Sequence, residues 1–257
     1  GHVRIYEYDG SSWNQVGADI DGEAADDQSG YSVSLSNDGT RVVIGAPYND
    51  GGGVDAGHAR IYNKTGGLVT SQVSKETMDV SGGIVTFFQG DTVSLVDTGP
   101  VAWSQLGADI DGEAAGDNFG TSISLSSDGT RVVIGGITND GTGADAGHAR
   151  VYEYNGSAWS QLGADLDSEA ADDRFGTSVS ISSDGTRVAV GGVLNDGGGA
   201  NSGYARVYEY DGSSWNQLGA DIDAEATSDG AGYSVSLSSD GTIVAIGAIG
   251  NDAVGNN

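Results

Sequence analysis

Four acidic clusters share one spelling: Asp19-Ile-Asp21-Gly-Glu23, Asp109-Ile-Asp111-Gly-Glu113, Asp165-Leu-Asp167-Ser-Glu169 and Asp221-Ile-Asp223-Ala-Glu225. Carboxylates at alternate positions suit calcium, which takes about six to eight oxygen ligands in flexible geometry. The competing reading is a solvated loop whose carboxylates cap turns or pair with arginine. Paired carboxylates also perform glycoside hydrolysis. A catalytic site is a single asymmetric constellation, however, and an element present four times reads as architecture. The expectation is therefore a chain that is not an enzyme and requires no cofactor, with calcium as the one ion its loops would take.

The cations repeat as the acids do. Arg4, Arg60, Arg150 and Arg206 hold one place in the pattern, and Arg41, Arg131 and Arg187 hold another, so seven of the ten basic residues are periodic. With acid so abundant, each is expected to pair with a repeated Asp or to stack on a repeated Tyr. A ring of arginines for an anionic ligand is the functional alternative. His2, His58 and His148 each follow a glycine, and Tyr204 takes the same slot. Replacement by Tyr argues for packing or surface decoration over metal ligation. Two sequons, Asn63-Lys64-Thr65 and Asn155-Gly156-Ser157, fall where turns are expected and would carry glycans in a secreted eukaryotic protein.

The elements that must position these residues follow from a fixed period. Trp13, Trp103, Trp159 and Trp215 head near-identical segments; the last two intervals are 56 residues and the first is 90, a 34-residue insertion. Such a period marks a repeat array whose units bury their apolar faces against neighbours. In the clearest copy Phe119–Leu125 alternates small polar and apolar residues, Asp128-Gly129 turns the chain, and residues 131–134 form an apolar strand buried on both faces. A glycine-rich loop leads to a third strand, His148–Tyr154, and Asn155-Gly156 to a fourth, residues 157–162, anchored by Trp159. Four short antiparallel strands per repeat describe a blade of an all-β propeller, with helix nearly absent.

The blades divide as residues 1–28 (third and fourth strands only), 29–118 with the insertion 67–100, 119–174, 175–230, and 231–257 (first and second strands only). The two half blades make one whole, so four blades are expected. The halves complete one another either within the chain, as a ring, or between chains, as a filament; a slice of a longer array is the third possibility. Gly1 stands where a methionine would, as expected of a processed piece whose targeting segments lie elsewhere. The insertion is the one aperiodic region. Residues 68–73, 84–88 and 92–96 read as extra strands, and Met78, Phe87 and Phe88 as a contact to a neighbouring subunit, or as an excursion packed on its own blade.

The charge bounds the partners. There are 37 acidic and 10 basic residues, a net charge of −27, which excludes nucleic acid and an anionic membrane surface as partners. No apolar run is long enough to span a bilayer. Carboxylates this dense must be hydrated, screened or neutralised, which suits a saline exterior. The absence of cysteine excludes disulfides and thiolate sites.

The pattern of Phe119-Gly120, a strand, an Asp-Gly turn and then Val-Ile-Gly, with Val43-Ile44-Gly45-Ala46-Pro47 in one copy, resembles the FG-GAP repeats of integrin α-subunit propellers and related microbial surface proteins. The resemblance covers nearly the whole chain outside residues 67–100. It implies a propeller at the cell surface. The Phe-Gly pair recurs at Phe175-Gly176 but reads Ser29-Gly30 and Ala231-Gly232 elsewhere. The family's calcium loop, Asp-x-Asp-x-Asp-Gly-x-x-Asp, is shortened here to Ser-Asp-Gly-Thr, so that site does not carry over. The functional expectation is a non-enzymatic extracellular structural or adhesive protein, the subunit of a surface fibre, associating with itself or with surface proteins and glycans. The alternative is a calcium-dependent glycan- or protein-binding propeller.

Overall fold

One side chain fixes the turn that opens each blade. Asp128 Oδ1 accepts from Ser126 Oγ, Thr130 N and Thr130 Oγ1, and Ser126 Oγ in turn accepts from Arg131 N. Asp38, Asp184 and Asp240 repeat the arrangement. The Ser238 hydroxyl and the Thr242 N–H hold the Asp240 carboxyl down to about 2. The four-residue segment is thus a self-capped turn, with its carboxylate already engaged.

The computed structural model describes residues 1–66, 79–81, 84–86 and 99–251, and among them there are strands and no helix. In the first half blade β1 (His2–Val3) and β2 (Tyr6–Tyr8) pair with β4 (Ile20–Asp21) and β3 (Trp13–Gln15) respectively. The first whole blade contains β5 (Ser32–Leu35), β6 (Arg41–Ala46) and β7 (His58–Thr65). After a hairpin of β8 (Asp79–Ser81) and β9 (Ile84–Thr86), it ends with β10 (Ala102–Gln105) and β11 (Ile110–Asp111). The second blade is β12 (Phe119–Leu125), β13 (Arg131–Gly136), β14 (His148–Tyr154), β15 (Trp159–Gln161) and β16 (Leu166–Asp167). The third is β17 (Phe175–Ile181), β18 (Arg187–Gly192), β19 (Tyr204–Tyr210), β20 (Trp215–Gln217) and β21 (Ile222–Asp223). A final pair, β22 (Ala231–Leu237) and β23 (Val244–Ala248), is the other half blade. Every ladder between these strands is antiparallel, and the blades are those of a propeller.

The fourth strand differs from expectation. It is broken in two: β15 and β16 both pair with β14, so the start of the acidic stretch re-enters the sheet where a loop was expected. Leu166 drives this return, because its side chain is buried between blades. The break falls at Gly163, whose φ of 81° and contact with the Trp215 ring both exclude a side chain.

The core lies between blades. Val133 packs with Ala149, Val151 and Leu166 of its own blade and with Phe175, Val179 and Ile181 of the next. Val132 and Ile134, projecting from the opposite face of β13, join Val43, Ala59 and Ile61 of the blade before. Each second strand is therefore buried on both faces, as its apolar run predicts, and each such residue contributes about 1.5–3 kcal/mol only while its neighbour blade is present.

Among the described residues β22 and β23 pair only with each other, and β1 and β2 only with β4 and β3. The within-chain completion of the fourth blade is not formed. Met78, Phe87 and Phe88 lie outside the described residues, as do the expected strands at 68–73 and 92–96. Residues 84–86 are extended as expected, whereas Asp79–Ser81 was not foreseen as a strand, because Asp and Ser carry little β propensity.

Candidate functional site

The repeated ionisable groups converge on the third strand of each blade. Arg150 projects from β14, and its Nε and Nη2 donate to Asp165 Oδ1 and Oδ2 at 3.0 and 2.9 Å. The same Nη2 meets Glu113, which arrives from the loop leading into the blade. Gln161 Nε2 donates to Asp165 Oδ1 at 2.6 Å. Arg60 holds Asp109 and Glu23 in the same way, and Arg206 holds Asp221 and Glu169. Arg4 holds Asp19. Of each predicted acidic triplet, then, the first Asp and the Glu belong to arginine clamps. Within a complete clamp the Glu comes from the preceding copy of the loop and the Asp from the following one.

The middle carboxylates stand apart. Asp21, Asp111, Asp167 and Asp223 lie in the outer strand opposite His2, His58, His148 and Tyr204. Burial, and then the neighbouring Asp165, push the Asp167 carboxyl above its ordinary value. For Arg150 burial opposes the charge, but hydrogen bonds to Asp165 and Glu113 outweigh it and hold the guanidinium above its usual value. Burial likewise raises and the Arg150 hydrogen bonds lower the Asp165 carboxyl, the lowering prevailing.

The histidines are packed, as the Tyr204 substitution indicated. His148 is fully buried, and His58 nearly so. Burial holds both imidazoles below their ordinary value, against the pull of nearby carboxylates such as Asp109 and Asp165. Each Nδ1 lies 3.7–3.8 Å from that Asp, beyond hydrogen-bond reach. Ligand atoms of Glu23, His58 and Asp109, and of Glu113, His148 and Asp165, gather within 4.8 Å. These sets do not fit calcium. Their carboxylates are committed to a guanidinium that already supplies the positive charge, and the remaining donor is an imidazole nitrogen rather than an oxygen.

A second family of repeated contacts, invisible in composition, ties blade to blade. Trp103, Trp159 and Trp215 donate their indole N–H to Val16 O, Leu106 O and Leu162 O of the preceding outer strand, at 2.7–2.8 Å. Arg41, Arg131 and Arg187 donate to Gly129 O, Gly185 O and Gly241 O of the following turn. Arg41 and Arg131 also lie over the rings of Tyr154 and Tyr210, as expected of arginines stacked on repeated tyrosines. The signal for these links was the period itself, since donor and acceptor recur together.

Asn155 occupies an exposed turn, where its Oδ1 accepts from Ser157 and Ala158. Asn63 departs from the turn expected for it: it lies inside β7, opposite Arg41 on one side and Ser104 on the other. The insertion lets β7 continue past the position where its copies turn.

Among the described residues no helix is long and apolar enough to cross a membrane. No curated protein matches the chain. A family model described as FG-GAP repeat matches residues 19–62 and 167–208, each match running from the second half of an outer strand, through the first two strands of the next blade, into its third. The sequence pattern, the all-β blades and the two matches agree: this chain carries FG-GAP-type repeats.

Proposed function

We propose that the chain is a non-enzymatic extracellular structural and adhesive module, the subunit of a surface fibre. The observation that carries this reading is the equivalence of its chemistry from blade to blade. Arg60, Arg150 and Arg206 make the same clamp, and three tryptophans and three second-strand arginines make the same links between neighbours. Groups spent identically in every copy are architecture, and an array of this kind extends by adding units. The dense surface acid suits a saline exterior, where salt screens its repulsion. A calcium-dependent binding role draws no support from clamps whose oxygens face arginine.

Electron microscopy of the purified chain at high concentration tests the proposal. Rods or fibres are the expected result, and isolated particles at every concentration would contradict the fibre role.

A further inference from the structure

The two half blades present the unmet halves of the contacts that join every other pair of blades. Val179 and Ile181 are buried under the preceding second strand, but Val33 and Leu35, their counterparts in β5, are 55% and 50% exposed. With Val3 and Ile5 they line an open cleft of about 220 Å³. Gly17, Gly107 and Gly163 each carry the Trp ring of the next blade, while Gly219 has nothing within 4 Å and Trp13 is 68% exposed. Gly129, Gly185 and Gly241 lie against Arg41, Arg131 and Arg187, while Gly39 is open.

We propose that a second copy of this chain fills that cleft, so that β22 and β23 of one copy complete the blade begun by β1–β4 of the next. The register follows from β18 on β19, where Ala189 faces Val207, Val190 faces Arg206 and Gly192 faces Tyr204. One repeat further on, Ala245 faces Ile5 of the second copy, Ile246 faces Arg4 and Ala248 faces His2. The last pair already occurs within the chain as Ala46 facing His58. Glu225 then reaches Arg4 as Glu169 reaches Arg206, and Trp13 donates to Leu218 O as Trp215 does to Leu162 O.

Two departures from the repeat identify the occupant as this chain. The second-strand Arg reaches the Tyr that ends the next blade's third strand, Arg41 to Tyr154 and Arg131 to Tyr210, each with its guanidinium carbon 5.6 Å from the ring centroid. Lys64 replaces that Tyr in the first whole blade, and Ile243 replaces that Arg before β23. In the proposed joint these two exceptions meet, so that no arginine is driven against Lys64, and Arg187 finds Tyr8. Glu7 loses the arginine that its counterparts Glu153 and Glu209 hold. Lys64 already stands 3.7 Å from it. The joint puts a continuous ladder of main-chain hydrogen bonds, an apolar strand and these matched side chains on the edges left free at both ends.

This inference rests on the reading of the chain as a self-assembling structural protein and names the joint. The chain has no cysteine, so Ile5→Cys and Ala245→Cys variants, mixed and mildly oxidised, report the pairing directly. A cross-linked dimer is expected, formed at least tenfold faster than from Ile5→Cys mixed with the off-register Ile243→Cys. The double variant I5C/A245C is expected to give a ladder of oligomers. A double variant that instead closes on itself as a cross-linked monomer, or a mixture that does not cross-link, overturns the proposal. Ile243 is 68% exposed, so Ile243→Lys leaves the fold intact. It is expected to weaken association at least tenfold by facing Lys64, and mixing with a Lys64→Glu chain is expected to restore it. Fibres that form without the 5–245 cross-link would overturn this joint and leave the fibre role standing, whereas a chain monomeric at every concentration would end both.

Discussion

Asp165 receives two parallel hydrogen bonds from Arg150, at 3.0 and 2.9 Å, and the arginine side chain that makes them is only 7% exposed. Removing the guanidinium leaves that carboxylate and the Glu113 carboxylate unpaired beside the interface between blades. Arg150→Met is expected to lower unfolding free energy by about 3 kcal/mol, the low end for a broken buried pair because both carboxylates keep some contact with water. Arg4→Met, at an exposed copy of the same pair, is expected to change nothing measurable. Urea denaturation of the two variants checks the contrast.

The tryptophans give a second contrast. Trp159→Phe removes the donor to Leu106 O between two blades and is expected to cost about 1–2 kcal/mol. Trp13→Phe is expected to leave the monomer's melting temperature unchanged, since that ring lies in water. Thermal unfolding at low protein concentration distinguishes them.

Much of this was legible in residue order. Alternation in Phe119–Leu125, the apolar run after Arg131 and the self-capping Asp128 are local signals, and they placed the first three strands of that blade. The outer strand was less legible because its return depends on burying Leu166 against the next blade, a tertiary effect that an acidic stretch conceals. The candidate site was half legible: arginine and aspartate could be matched by abundance and phase. That the clamp takes its glutamate from one copy of the loop and its aspartate from the next required the fold.

The His148 slot makes a third prediction. Tyr204 fills it in the third blade beside Gly192, and Gly136 is the matching residue beside His148. His148→Tyr is therefore expected to fold with stability within about 1 kcal/mol of the parent at neutral pH. Gly192→Ala is expected to cost about 1–3 kcal/mol, because its methyl would sit 2.4 Å from Tyr204 Cε1.

The same residue sets a pH dependence. Burial lowers the His148 imidazole from its ordinary 6.5, so below that pH the unfolded chain binds a proton that the folded chain refuses. The contribution is full above 6.5 and is lost as pH falls from there toward the lowered folded value. Denaturation midpoints measured at pH 7.5 and 5.5 should fall less in His148→Tyr than in the parent.

Chelation supplies a further test. Because arginine neutralises the loop carboxylates, EDTA is expected to leave the melting temperature unchanged in calorimetry. A fall of several degrees on chelation, reversed by calcium, would show that the clamps are not the whole account of the acidic loops.

The central claim is that blade-to-blade contacts continue from one copy to the next, and sedimentation velocity across a hundredfold range of protein concentration measures it most directly. The account predicts a sedimentation coefficient that rises with concentration for the parent and stays at the monomer value for Ile243→Lys. A parent chain that sediments as a monomer throughout would contradict it.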